Sequence, residues 1–215
     1  MKYIYLIRHA EPELGGRKHV CLGGRSDVPL SEEGARQAAK AAACFPDGLN
    51  LRIFASPMLR ARQTAELISG GRWPVETLSG MEEIDCGEWD GLSFDEIRLK
   101  YPELYEKRGG DLSLTPPGGE SLESVARRGM AALESLKELE EENIIVVAHK
   151  GMNRVLLCAL MGRPVTDYRS LSQDYVCINT LRREGGSVKV ESIALSPEDF
   201  KIKTHNPAKE EDKKI

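Results

Sequence analysis

Arg8, His9, Arg60 and His149 are the residues whose types and positions offer chemistry. Arg8 and His9 stand at the end of the apolar run KYIYLIR (2–8), Arg60 four residues beyond LRIFAS (51–56), and His149 at the end of NIIVVAH (143–149). In an open parallel sheet, ligands bind outside the carboxyl ends of the strands, so groups far apart in sequence converge there. Two guanidinium groups and two imidazoles around one pocket suit a dianion. The guanidinium fork matches phosphate oxygens in a bidentate way, and an imidazolium adds charge at short range. Such a site holds phosphate without a metal or other cofactor. Taken singly, each residue also has an ordinary reading: an Arg-His pair as a solvated strand end, a His after a buried strand as a satisfied core residue.

The elements that must position these groups follow from pattern. KYIYLIR is short, β-branched and aromatic, as a strand buried on both faces is. A loop rich in Gly, Pro and charge covers 10–30, and Ser31 with Glu32 and Glu33 behind it opens a helix. LRIFAS reads as a second strand, stopped by Pro57 and followed by the helical spacing of MLRARQTAELI. Residues 75–92 read as strand and turn, 93–105 as a short helix, 112–120 as a loop, and 121 to about 141 as the longest helix. NIIVVAH is a buried strand, GMNRVLLCALMG a helix closed by Gly162, and 176–194 a hairpin around Gly185-Gly186. This alternation predicts an α/β fold: a three-layer α/β/α sandwich with a mostly parallel sheet that the late hairpin makes mixed. It predicts one domain over 1–204 and a charged, mobile tail at 205–215, where His205 is a bystander.

Composition excludes several classes. With 215 residues, 40% hydrophobic and 30% charged, the chain has enough apolar sequence for a core, so disorder, collagen and coiled coil are out. A net charge of -4 argues against a nucleic-acid footprint. The five cysteines, at 21, 44, 86, 158 and 177, form no CxxC pair, which disfavours a disulfide scaffold and a structural zinc site. Arg8 interrupts the N-terminal apolar run far short of a signal core or spanning helix, so the expectation is a cytoplasmic protein without membrane contact. Neither GxxxxGK[ST] nor GxGxxG occurs.

Six ordered segments carry a family resemblance. YLIRHAE (5–11) resembles the RHG signature of the histidine phosphatase superfamily, also called phosphoglycerate mutase-like. GRSDVPLSEEGARQA (24–38), ASPMLRARQTAE (55–66), EEIDCGEWDGL (82–92), PPGGESL (116–122) and VVAHKGMNRVLL (146–157) are similar to its later blocks, in the family's order. The matches look most like small bacterial phosphatases of that superfamily.

The resemblance implies roles residue by residue. His9 matches the nucleophile that becomes phosphohistidine, Arg8 and Arg60 the phosphate-binding arginines, and His149 the second histidine of the pocket. Glu83, four residues before Gly87, matches the acid; Glu82 does not fit that spacing. A neutral His9 attacks phosphorus in line, the arginines and His149 hold the equatorial oxygens, and Glu83, kept protonated by its surroundings, protonates the leaving oxygen. Arg25, with the Gly-Gly-Arg-Lys-His stretch at 15–19, and Lys150, where many members carry a small residue, stand as a substrate rim or as solvated side chains. Gly15 falls where the family carries an Asn contact to phosphate, leaving that contact to another group. The implied function is hydrolysis of a small phosphorylated metabolite, α-ribazole phosphate being one candidate, with inorganic phosphate as a ligand and dimers common in the family. Phosphoglycerate mutase-type transfer and a catalytically silent phosphate-binding module are the alternatives. The absence of a paired-arginine insertion between Gly91 and Gly118 favours hydrolysis over transfer.

Overall fold

The computed structural model of the chain describes residues 2–202, so the tail at 205–215 lies outside the described residues. Strand β1 (Lys2–Arg8) alternates its side chains between two apolar layers: Ile4 and Leu6 join one core, Tyr3, Tyr5 and Ile7 the other. Strands β2 (Leu51–Ala55) and β4 (Asn143–Ala148) run parallel to it, and the short β3 (Val75–Thr77) pairs with β2. The hairpin β5 (Ile178–Glu184) and β6 (Ser187–Leu195) adds to the far side of β1, with β5 antiparallel to it. The sheet order is β3-β2-β4-β1-β5-β6.

Helices cover both faces. Helices α1 (Glu32–Ala41) and α2 (Leu59–Ser69) pack Ala38, Ala41, Ala61, Ala65 and Ile68 on the Tyr5 side. After α3 (Phe94–Lys100) and α4 (Pro102–Gly110), helices α5 (Leu122–Glu134) and α6 (Lys150–Leu160) bury Leu133, Val155 and Leu156 on the Leu6 side. The three-layer α/β sandwich and the mixed sheet are as the alternation predicts.

Two boundaries differ. The helix read over 93–105 is two, because Tyr101 leaves helical geometry (φ -132°) before Pro102 begins the second. The helix expected to reach about 141 ends at Glu134 and gives way to turns. There Arg183 of β5 takes the carbonyls of Leu136, Leu139 and Glu141, a long-range partner that local sequence does not reveal.

The strand order matters for the site. Because β4 inserts between β1 and β2, the residues just past their carboxyl ends become neighbours: His9 N donates to Ala148 O (2.9 Å) and Ser56 N to Val147 O (2.9 Å). The chain after His9 is held by a close backbone approach, since a Cβ on Gly34 of α1 stands 2.0 Å from Glu11 O. Gly34→Ala should therefore lower the unfolding free energy by about 1–3 kcal/mol, the usual cost of overpacking. Urea titration measures it, and an unchanged midpoint would contradict this packing.

Candidate active site

His9 leaves β1 with its ring almost fully buried, at 4% exposure. Its Nδ1 lies 2.6 Å from Ala10 O. A carbonyl only accepts, so Nδ1 carries the hydrogen and Nε2 keeps a free lone pair. Ala10 N in turn donates to Thr64 Oγ1 (3.0 Å), and that hydroxyl donates to Arg60 O (2.7 Å), tying the segment to α2. The His149 ring lies 5.1 Å from the His9 ring, centroid to centroid. Its Nε2 hydrogen-bonds with Ser56 Oγ (2.8 Å), which leaves Nδ1 buried without a hydrogen-bond partner among the described residues.

The two arginines approach from different elements. Arg60 is fully buried on the first turn of α2, where it donates to Ser26 O (2.7 Å) and Gly23 O (3.3 Å). Arg8 donates to Gln173 O (2.8 Å), and its guanidinium carbon sits 3.8 Å from the centre of the Tyr175 ring. The Nε of each is buried, without a hydrogen-bond partner among the described residues. Burial pulls both guanidinium groups down from their ordinary value, with Glu83 acting in the opposite sense. Burial also pushes His9 and His149 well below the usual imidazole value, and Arg60 and Arg8 push in the same direction. Both imidazoles are therefore neutral at pH 7, as a nitrogen nucleophile must be.

Glu83 comes from 78–86, a stretch with neither helix nor strand, and is 8% exposed. Its Oε1 accepts from Ile84 N (2.8 Å) and Met152 N (2.9 Å), and its Oε2 from Gly151 N (3.0 Å). The carboxyl group thus sits on the first turn of α6, immediately after His149. Gly151 permits this approach, since a Cβ there stands 2.6 Å from Glu83 Oε1. Three N–H groups thus point at the carboxyl group, two at Oε1 and one at Oε2, so Oε2 keeps a lone pair. Glu82 points elsewhere, its Oε2 accepting from Gly80 N (2.8 Å) and lying 3.5 Å from Arg128.

A cavity of about 430 Å³, the size of a small-molecule site, is lined by Arg8, His9, Glu83, Lys150, Arg154 and Tyr175 among others. Arg60 and His149 stand behind this wall. Lys150 and Arg154 are one turn apart on α6, half-buried, with no hydrogen bond or ion pair among the described residues. Burial, Arg8 and Arg154 all push the Lys150 ammonium down.

The structure thus gathers Arg8, His9, Arg60, Glu83, His149 and Lys150. It does not bring Arg25 to the cavity wall: Arg25 is exposed and bound by Asp85 (2.8 Å). The competitor was a nearby carboxylate that sequence distance concealed. In the 15–19 stretch, Arg17 pairs with Glu96 (3.1 Å) and only His19 reaches the cavity mouth. Trp89 is buried against Tyr101 and Tyr105, as a packing anchor is.

Sequence reasoning passed over Ser56, Tyr175 and Arg154. Ser56 was visible as the end of LRIFAS, and Arg154 as the residue one turn beyond Lys150. Tyr175 carried no local signal, and the chain beside it, at Val176 with φ +52°, adopts a conformation rare for a β-branched residue.

Comparison with known proteins agrees with the geometry. The sequence model of the histidine phosphatase superfamily (branch 1) matches residues 4–196. Human 6-phosphofructo-2-kinase/fructose-2,6-bisphosphatase 3 is 32% identical over 217 residues, covering 98% of this chain and 39% of that protein. The chain spans about two fifths of the length of such curated relatives. The α-ribazole phosphatase of Shigella flexneri superposes with a TM-score of 0.81 at 22% identity, over 95% of this chain and all of that one. Mycobacterial glucosyl-3-phosphoglycerate phosphatase, solved in complex with inorganic phosphate, gives 0.76 at 23% identity, over 92% of this chain and 99% of that one.

The depressed imidazoles tie stability to pH. The unfolded chain takes up protons near pH 6.5, whereas the fold resists them at His9 and His149 until well below that. Their contribution is full above about pH 6.5 and is lost as pH falls. Between pH 6.5 and 5 the unfolding free energy should fall by up to about 2.7 kcal/mol per pH unit, about 1.4 for each histidine. His149→Gln should halve that slope. Urea titrations in phosphate-free buffer measure both, and a flat profile for the native protein would contradict the neutral imidazoles.

Proposed function

As a phosphatase of the histidine phosphatase superfamily, to which the chain belongs, this protein, we propose, hydrolyses a small phosphorylated metabolite through a phosphohistidine on His9. The observation that carries the reading is the His9 ring itself: neutral, its Nδ1 fixed by Ala10 O, its lone pair left on Nε2 near the guanidinium groups of Arg8 and the fully buried Arg60, both of which act on it. Nε2 attacks phosphorus as the ester P–O bond breaks, and Arg8, Arg60 and His149 stabilise the charge on the equatorial oxygens. Glu83 gives the proton on Oε2 to the leaving oxygen, and its three N–H partners stabilise the carboxylate that results. That carboxylate then takes a proton from the water that cleaves the P–N bond, releasing inorganic phosphate and regenerating the acid.

The second half of the reading concerns substrate class. Two like charges one turn apart on a half-buried helix face repel, and Lys150 and Arg154 form no ion pair or hydrogen bond with a carboxylate among the described residues. Glu83 acts on both charges and Asp174 on Lys150 without pairing either, so a second acidic group on the substrate would offset the repulsion further, and a sugar bisphosphate or a phosphorylated sugar acid fits better than α-ribazole phosphate, whose only acid is the reacting one. Similarity to fructose-2,6-bisphosphatases supports the same class.

Rapid quench with labelled substrate should trap a protein adduct that is labile in acid and stable in base, and His9→Ala should abolish it together with turnover. An acid-stable adduct would place the phosphoryl group on a hydroxyl instead; no release of phosphate above the His9→Ala control would leave only a silent binding module. In a panel of phosphomonoesters, kcat/KM for fructose 2,6-bisphosphate should exceed that for α-ribazole phosphate. Lys150→Met or Arg154→Met should cut the ratio roughly 10- to 100-fold, the worth of one hydrogen bond to a charged group. Fastest turnover of α-ribazole phosphate by the native protein would refute this substrate class.

A further inference from the structure

The stretch 78–86 carries Glu83 yet has no ladder or helix to satisfy its backbone. One side chain from another element replaces that ladder. Arg128 of α5 donates through Nη1 to Gly80 O (2.9 Å) and Glu82 O (2.7 Å), and through Nη2 to Glu83 O (3.0 Å). Its Nε and Nη2 also grip Glu120, at 3.1 and 2.6 Å. All five guanidinium hydrogens are thereby used. Glu120 completes the frame: its Oε1 accepts from Asp85 N (2.9 Å), and its own N donates to Asp85 O (3.0 Å). Neither residue lines the cavity, and the pair is only about one-fifth exposed.

We propose that Arg128, oriented by Glu120, is the positioning residue of the catalytic acid, fixing the backbone of 80–85 so that the Glu83 carboxyl group meets both the first turn of α6 and the leaving oxygen. The proposal rests on the assignment of Glu83 as acid. Lysine is not equivalent here: a point charge with three donors cannot hold one carboxylate in two places and three carbonyls besides. A displacement of about 1 Å at the reacting group costs on the order of 10²-fold in rate.

The test exploits leaving groups. Glu83→Gln should slow an alkyl phosphate strongly while sparing phosphorylation of His9 by an activated aryl phosphate, whose phenol departs without a proton. Arg128→Met should show the same pattern, with kcat for the alkyl phosphate down about 10²-fold, KM little changed, and the aryl-phosphate burst retained. Arg128→Lys should fall between Met and the native protein. In a Glu83→Gln background, Arg128→Met should add no more than about a factor of two, because residues acting through one group are non-additive. Equal losses on both substrates, or a full multiplicative loss in the double variant, would make Arg128 merely structural and overturn the proposal. If Glu83→Gln alone shows no leaving-group dependence, the acid assignment fails and this inference with it, whereas the His9 adduct would still stand. Should Arg128→Met not fold by circular dichroism, Glu120→Gln, which keeps the shape and removes the orienting charge, should give the same substrate pattern at smaller amplitude; its absence would overturn the proposal equally.

Discussion

Burying positive charge with no direct ion pair among the described residues, only more distant carboxylates, is the constraint on which this structure turns. Arg8 and Arg60 reach the same region as His9 and His149, and desolvation of a charge is expensive unless hydrogen bonds or an opposite charge offset it. The fold offsets it in three ways. Backbone carbonyls of Gly23, Ser26 and Gln173 accept from the guanidinium groups. The Tyr175 ring faces Arg8. The imidazoles give up their protons. What remains is a concentration of positive charge suited to a dianion, and in the proposed reaction binding energy and catalytic stabilisation would come from the same groups.

That arrangement demands irregular backbone at known positions. Three parallel strands deliver their carboxyl ends side by side, but the groups that complete the pocket come from loops, whose polar backbone must be satisfied elsewhere. Side chains do this: Asp90 accepts from Gly23 N and Arg25 N, Thr64 from Ala10 N, and Arg128 donates to three carbonyls beside Glu83. Close approaches of backbone to backbone do the rest. Gly87, at φ +55°, lies where a Cβ would stand 2.0 Å from Pro117 O. The mouth of the pocket is thus cast by long-range contacts between segments with little regular structure of their own.

Much of this was legible in the chain. Periodicity revealed β1, β2 and β4 because all three are buried runs, and buried runs carry a strong apolar signal. The ends of those runs carried Arg8, His9 and His149, and the parallel-sheet rule placed them together. Glu83 emerged only through family resemblance, since one glutamate in an acidic turn has no physical signature of its own. The 121–141 helix was overextended because the acidic run ELEEEN has helical propensity that Arg183, distant in sequence, overrides by taking the carbonyls there.

The sequence by itself determined the layer architecture, the strand ends and the place of Arg8, His9 and His149 at those ends, because these follow from local pattern and the geometry of parallel strands. Only the tertiary structure decided the pairings. Arg25 belongs to Asp85 and not to the pocket, Arg154 joins Lys150 at the wall, Tyr175 faces Arg8, and Arg128 holds the segment that bears Glu83. Charges and hydrogen bonds act over a few ångströms whatever the distance along the chain, so the partner of a charged or polar side chain is settled by where the fold brings it, and no local pattern encodes that.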